Sequence, residues 1–221
     1  MNNPIKCQEL FTFSNSLFKN LFDAFLYPWE IFPHLSEIIA SIIKDGMDGY
    51  ERLGKDILIG KGVKIAPSAH IEGPAIIGNG AEIRHCAFIR GAVILGEGCV
   101  VGNSSEVKNS IMMDGAQAPH FNYVGDSILG AKAHLGAGAI CSNLRSDGKP
   151  VHIRTPEYDI NTELRKMGAI LGDYAEIGCG AVLCPGSIIG KSTTVYPLAV
   201  TRGVYPDNSI VKDTYTVTKK L

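Results

Sequence analysis

The sequence predicts a mainly β fold, a single strand wound into a parallel coil of hexapeptide repeats behind a short helical segment. Aliphatic residues recur at every sixth place, at Ile59, Ile65, Ile71, Ile77, Ile83, Ile89, Leu95, Val101, Val107 and Met113. Two places before these beats stand small or β-branched residues, among them Val63, Ala69, Ala75, Ala81, Ala87 and Val93. Glycine follows several beats directly, at Gly60, Gly78, Gly96 and Gly102, and the chain holds 25 glycines. A repeat this short cannot bury its own face, so copies must stack. One strand and one turn per hexad, with alternate side chains inward, accounts for the pattern. A helix does not, because its period is 3.6 and each internal glycine costs about 1 kcal/mol.

The first fifty or so residues follow a different period. Leu10, Phe11, Phe13, Leu17, Phe18, Leu21, Phe22, Phe25 and Leu26 fall largely at three- and four-residue spacings, which predicts a helix stopped by Pro28 and Pro33. A second helix is expected over 35–44, carrying Ile38, Ile39, Ile42 and Ile43 and ending at Asp45-Gly46. Such a segment is expected to cap the open end of the coil. A docking helix for another subunit, a partner or a membrane surface is the alternative.

The count of six fails twice. After Met113 the next beat lands on Pro119 and the following one on Leu129, as if four residues had been let in around 118–126, a stretch carrying His120, Asn122 and Tyr123. Beats resume at Leu129, Leu135 and Cys141, stop over the polar stretch 142–170, and return at Leu171, Ile177, Leu183, Ile189 and Val195. Excursions from a regular scaffold are where function concentrates. The chain is therefore read as a helical N-terminal cap (1–54), a β-helix (55–200) with loop excursions at 118–126 and 142–170, and a C-terminal tail (201–221) running along the outside or partly disordered.

Charge is near balance, 21 Lys+Arg against 22 Asp+Glu, which removes any global attraction to nucleic acid or an acidic membrane. Six cysteines without a CxxC or dense spacing read as reduced thiols in a cytoplasmic protein. No secretory signal pattern and no run of about eighteen apolar residues is present, so no membrane span is expected.

The hexad pattern resembles the left-handed parallel β-helix of the hexapeptide-repeat transferases, which are typically homotrimers with active sites between subunits. Gly102-Asn103, Glu106-Val107-Lys108, Pro119-His120, Tyr123-Val124-Gly125-Asp126, Gly136-Ala137-Gly138 and Asn143-Leu144-Arg145 together resemble the C-terminal acetyltransferase domain of the bifunctional N-acetylglucosamine-1-phosphate uridyltransferases. Residues 143–149 with Leu164-Arg165-Lys166-Met167-Gly168-Ala169 are similar to archaeal sugar-1-phosphate nucleotidylyltransferases that carry an acetyltransferase domain. The resemblance implies acetyl transfer from acetyl-CoA, as acyl donor, to the amine of a glucosamine-1-phosphate-like sugar, with no metal required. It implies His120 as general base assisted by Tyr123, Asn143 holding the amino sugar, and Arg90, Lys108 and Lys149 on the phosphate, with Glu106 beside them. Cys179 and Pro197 would lie along the CoA groove. Two positions depart from the pattern: His152 stands where the family has a second lysine, and His134 where an asparagine is common. The nucleotidyltransferase domain has no counterpart here, so no nucleotidyltransferase activity is expected.

The chemistry is consistent with these residue types. An attacking amine must shed a proton, and histidine's ordinary pKa suits that step. A phosphate needs arginine or lysine, and Arg90 and Lys108 lie one coil apart, which stacks them on one face. His120, two hexads past Lys108, falls on a different face. A zinc site built like the γ-class carbonic anhydrases needs a third histidine, and position 125 is glycine. A non-catalytic oligomerisation scaffold is the remaining alternative.

Overall fold

The computed structural model describes residues 5–155 and 157–220, so residues 1–4, Pro156 and Leu221 lie outside it. From Ile57 the chain winds through three sheets, visiting each once per coil. The first sheet begins with Ile57–Ile59, the second with Lys64–Ile65 and the third with His70–Glu72. The stacked strands of the coil are parallel and in register, for example Ile59 beside Ile77 and Ile77 beside Leu95, and Glu51–Arg52 pairs antiparallel with Ile57–Ile59 at the edge of the first sheet. The inward side chains form one continuous core of Ile, Leu, Val, Ala and Cys inside the coil.

Register overturns the excursion expected at 118–126. Leu95 pairs with Met112, Val101 with Ala118, Val107 with Val124, and Met112 with Leu129. Residues 117–120 and 123–125 are therefore regular strands. The core position is Met112, while Met113 packs outside the coil. Nothing is inserted; the steps from Val107 to Met112 and from Val124 to Leu129 are each one residue short. Four residues gained and two lost leave the same phase in a period of six.

Between Cys141 and the first-sheet strand Ala169–Leu171 the chain leaves the coil and is partly ordered. It carries an antiparallel hairpin, His152–Arg154 against Asp159–Asn161, and buries Val151, Ile153 and Met167. The tail differs from expectation. The repeat continues through Val204–Tyr205 and Ser209–Val211, and Val217–Lys219 then pairs antiparallel with 209–211, closing the edge of the second sheet.

The N-terminal segment forms α1 (Cys7–Leu10), α2 (Ser16–Phe22), a 3-10 turn (Pro28–Ile31) and α3 (Leu35–Asp45). The single long helix expected first is thus broken: the chain leaves α1 extended, and Asn15 caps α2 by accepting from the Leu17 N–H at 2.9 Å. α3 stops at Gly46, which adopts a φ of 81°.

The segment does not cap the end of the coil. It lies along the first sheet, whose outward residues Leu58, Ile76, Ile94, Ile111, Ile128, Ile170 and Ile188 join Leu10, Phe11, Phe18, Ile31, Leu35 and Ile39 in a second core. Burying each such side chain contributes about 1.5–3 kcal/mol relative to leaving it in water. Polar pegs fix the docking: Asp173 accepts from the Thr12 N–H at 2.8 Å, and Asn15 Nδ2 donates to Asp114 at 3.1 Å. At the start of the coil, inward residues Val63, Ala69 and Ile71 stay half-buried and Ile65 is exposed. No helix among the described residues is long and apolar enough to cross a membrane.

Candidate active site

The two short steps occur at one corner, between the third sheet and the next strand of the first. The coil above turns there on two left-handed residues, Gly91 and Ala92; the short coils turn on one, Asn109 (φ 45°) and then Asp126 (φ 46°). Asn and Asp enter this region at less cost than other side-chain-bearing residues. Ser110 and Ser127 follow them, buried, and their hydroxyls donate to the carbonyls of Lys108 and Gly125. Stacking then brings Asn109 Nδ2 to 2.7 Å from Asp126 Oδ1.

Around this corner the third sheet gathers most of the predicted residues. Arg90 and Lys108 occupy equivalent positions in adjacent strands, as their spacing predicted. Arg90 pairs with Glu106 at 3.0 Å, and Lys108 Nζ lies 3.6 Å from Asp126. Tyr123 neighbours Glu106 in register. Asn143, nearly buried, donates through Nδ2 to Asp126 and to the Tyr123 hydroxyl, the latter at 3.2 Å. Gly125 permits this meeting: a Cβ there would stand 2.6 Å from the Tyr123 oxygen and 2.7 Å from Asn143 Nδ2. Burial, then the Glu106 and Asp126 carboxylates, push the Tyr123 phenol above its ordinary value, so it keeps its proton at neutral pH.

His120 ends the second-sheet strand Gln117–His120, one corner away from Tyr123. Its ring is exposed and hydrogen-bonds none of the described residues, while its backbone N–H is held by Asn122 Oδ1 at 3.0 Å. Asn122, buried, also donates to the carbonyls of Gly136 and Ala139, which locks the corner from inside. Cys179 and Pro197 lie on the same corner as His120. The Gly138 N–H donates to the His120 carbonyl, Gly180 to Ala137 and Leu198 to Cys179, at 2.8–2.9 Å, so positions 120, 137, 179 and 197 form one column. Lys149 is exposed on the turn beyond Asp147, and among the described residues no hydrogen bond or ion pair joins it to the cluster.

Asp126 and Asn109 were not identified as site residues from sequence. The available signal was an Asn and an Asp one short coil apart where the phase slips. Among the described residues no group of three or more His, Cys, Asp or Glu stands close enough to hold a metal ion.

Comparison with known proteins gives this geometry a family. Residues 71–164 match the family model described as the GMPPB C-terminal domain. The chain is 33% identical over 199 residues to the bifunctional protein GlmU of Methanococcus maripaludis (strain DSM 14266), covering 88% of this chain and 48% of that protein. It thus spans half or less of the bifunctional relatives it matches. It is also 33% identical over 166 residues to YaiX of Escherichia coli (strain K12), named as an uncharacterized acetyltransferase, covering 75% of this chain and 70% of that one. Among solved structures, a variant of AntD, an N-acyltransferase from Bacillus cereus in complex with dTDP-4-amino-4,6-dideoxyglucose and coenzyme A, aligns at 18% identity with a TM-score of 0.47, covering 79% of this chain and 91% of that one. The chain belongs to the hexapeptide-repeat acyltransferases, whose fold is the left-handed parallel β-helix, and its solenoid is homologous to the C-terminal acetyltransferase region of the GlmU proteins.

Proposed function

We propose that this chain transfers an acetyl group from acetyl-CoA to the amine of an amino-sugar 1-phosphate. The observation that carries the reading is a pair of surfaces on adjoining sheets of the coil. One is the column His120, Ala137, Cys179, Pro197; the other is the polar cluster Arg90, Glu106, Lys108, Tyr123 and Asn143 on the adjoining sheet. Small residues keep the column low: Ala137, Gly138 and Gly180 present little side chain, and a Cβ on Gly180 would approach Leu198 Cδ2 to 2.8 Å. In this reading an extended pantetheine arm lies along the column, with its thioester toward His120.

The acyl donor supplies an activated carbonyl carbon. As the amine nitrogen bonds to that carbon, His120 takes the proton the nitrogen sheds; the carbon–sulfur bond breaks, and His120 returns that proton to the departing sulfur, so that CoA leaves as the thiol. Tyr123, protonated, donates toward the oxygen that gathers negative charge. Arg90 and Lys108 hold the sugar phosphate, and Lys149 reaches it from the excursion. Arg90 and Lys108 sit on a different sheet from His120, which supports a site completed by a neighbouring copy in a homotrimer.

The test is thiol release from acetyl-CoA with a panel of amino sugars and their 1-phosphates, wild type against His120→Ala. Removing a general base is expected to cost on the order of a hundredfold. No CoA release with any amine, or equal activity of the variant, overturns the reading.

A further inference from the structure

Asp126 is a nearly buried carboxylate, 4% exposed, to which no step above gives a role. Its two oxygens face only donors: Asn109 Nδ2 on Oδ1, and Asn143 Nδ2 with the Lys108 ammonium on Oδ2. An ionised carboxylate can only accept hydrogen bonds. The Asn143 side chain therefore has a single permitted orientation, with its NH2 toward Asp126. That NH2 also donates to the Tyr123 oxygen. Two consequences follow for the open side of the cluster. Asn143 Oδ1 accepts from none of the described residues and is not among the buried unsatisfied atoms, so it faces solvent. The Tyr123 hydroxyl, already accepting, keeps its proton to donate.

We propose that Asp126 is a positioning residue that sets the hydrogen-bond polarity of this site, so that Asn143 offers an acceptor and Tyr123 a donor. The proposal rests on the acetyltransfer reading and deepens it. The acceptor oxygen of Asn143 receives an N–H of the substrate amine and orients its lone pair, and the Tyr123 O–H meets the thioester oxygen. The paired one-residue shortenings of the coil, which bring Asn109 and Asp126 into contact, are the local device that builds this anchor.

Asp126→Asn is nearly isosteric and reverses the logic. The new amide brings its own donors toward Asn109, Asn143 and Lys108, and the conflict is relieved by rotating Asn143, which then turns its NH2 toward the substrate amine. The kcat/KM for amine acceptors is expected to fall about tenfold or more, the size of one misplaced charge-assisted hydrogen bond. The KM for acetyl-CoA should move little. A second readout needs no turnover. In protein labelled with 15N-asparagine, the Asn143 side-chain amide protons should exchange with solvent far more slowly than those of exposed Asn208, and Asp126→Asn should abolish the difference. Wild-type Asn143 exchanging as fast as Asn208, or a variant with wild-type kinetics and protection, overturns the proposal. If the wild type acetylates no amine, the reading of function fails while the exchange comparison still decides the role of Asp126.

Discussion

Truncating Ile94 tests whether the N-terminal helices cover the coil or merely cap it. Ile94 points outward from the first sheet, is 0% exposed, and packs in the cluster that holds Leu35 and Ile39 of α3. If the helices were an end cap, an outward side chain in the third coil would face water and its loss would be nearly neutral. Under a docked helix, Ile94→Ala removes buried carbons and leaves a cavity, a cost of about 2–5 kcal/mol. In a chain of 221 residues each kcal/mol lowers Tm by about 2–4 °C, so a fall of roughly 4–20 °C is expected. Trp29, the sole tryptophan, is 3% exposed in the same cluster and stacks on Tyr27 at 4.7 Å. Its fluorescence therefore reports the docking directly, and its transition should shift with the melt followed by circular dichroism. The control is Val200→Ala, an outward residue of the third sheet that is 47% exposed, expected to change stability by no more than about 0.5 kcal/mol. A Tm for Ile94→Ala within about 1 °C of wild type would refute the covered-face reasoning.

Thiol chemistry gives three further expectations. Cys86 and Cys179 are exposed, whereas Cys7, Cys99 and Cys141 are buried with their thiols pushed up to about 12, chiefly by burial. A thiol reagent at neutral pH should modify Cys86 and Cys179 quickly and the three buried thiols only after unfolding. Acetyl-CoA should slow labelling of Cys179 and leave Cys86 unchanged if the donor lies along the column, and equal rates with and without it count against that placement. These raised pKa values also have a defined sign in stability. The folded state holds the three protons more tightly than the unfolded chain, so this stabilisation is complete below about pH 9 and is lost as pH rises toward 12. Chemical denaturation at pH 8 and pH 10.5 should show a lower midpoint at the higher pH, and Cys141→Ala should reduce that pH dependence. A midpoint independent of pH over this range argues against the burial account.

The period of six was sufficient to specify a stacked coil, because strand segments such as Ala87-Phe88-Ile89 alternate inward and outward and cannot bury themselves alone. It also placed Arg90 and Lys108 in one column, since eighteen residues complete a turn. It could not say where the helices lie, although a signal was present. Outward positions of the first sheet are Leu58, Ile76, Ile94, Ile111 and Ile128, while those of the third include His70, Arg90, Glu106 and Lys108. Counting only inward beats hides that contrast.

The interruption near His120 marks the boundary between the two kinds of information. Sequence determined that the phase slips between Met113 and Leu129, and that a histidine, an asparagine and a tyrosine cluster there. A phase is defined only modulo six, so a gain of four residues and a loss of two read identically. Hydrogen-bond register, a property of neighbouring coils, decided for the loss. The contact of Asn109 with Asp126, and through Asp126 with Lys108 and Asn143, joins positions 17 or 18 residues apart. Those distances exist only once the coils are stacked.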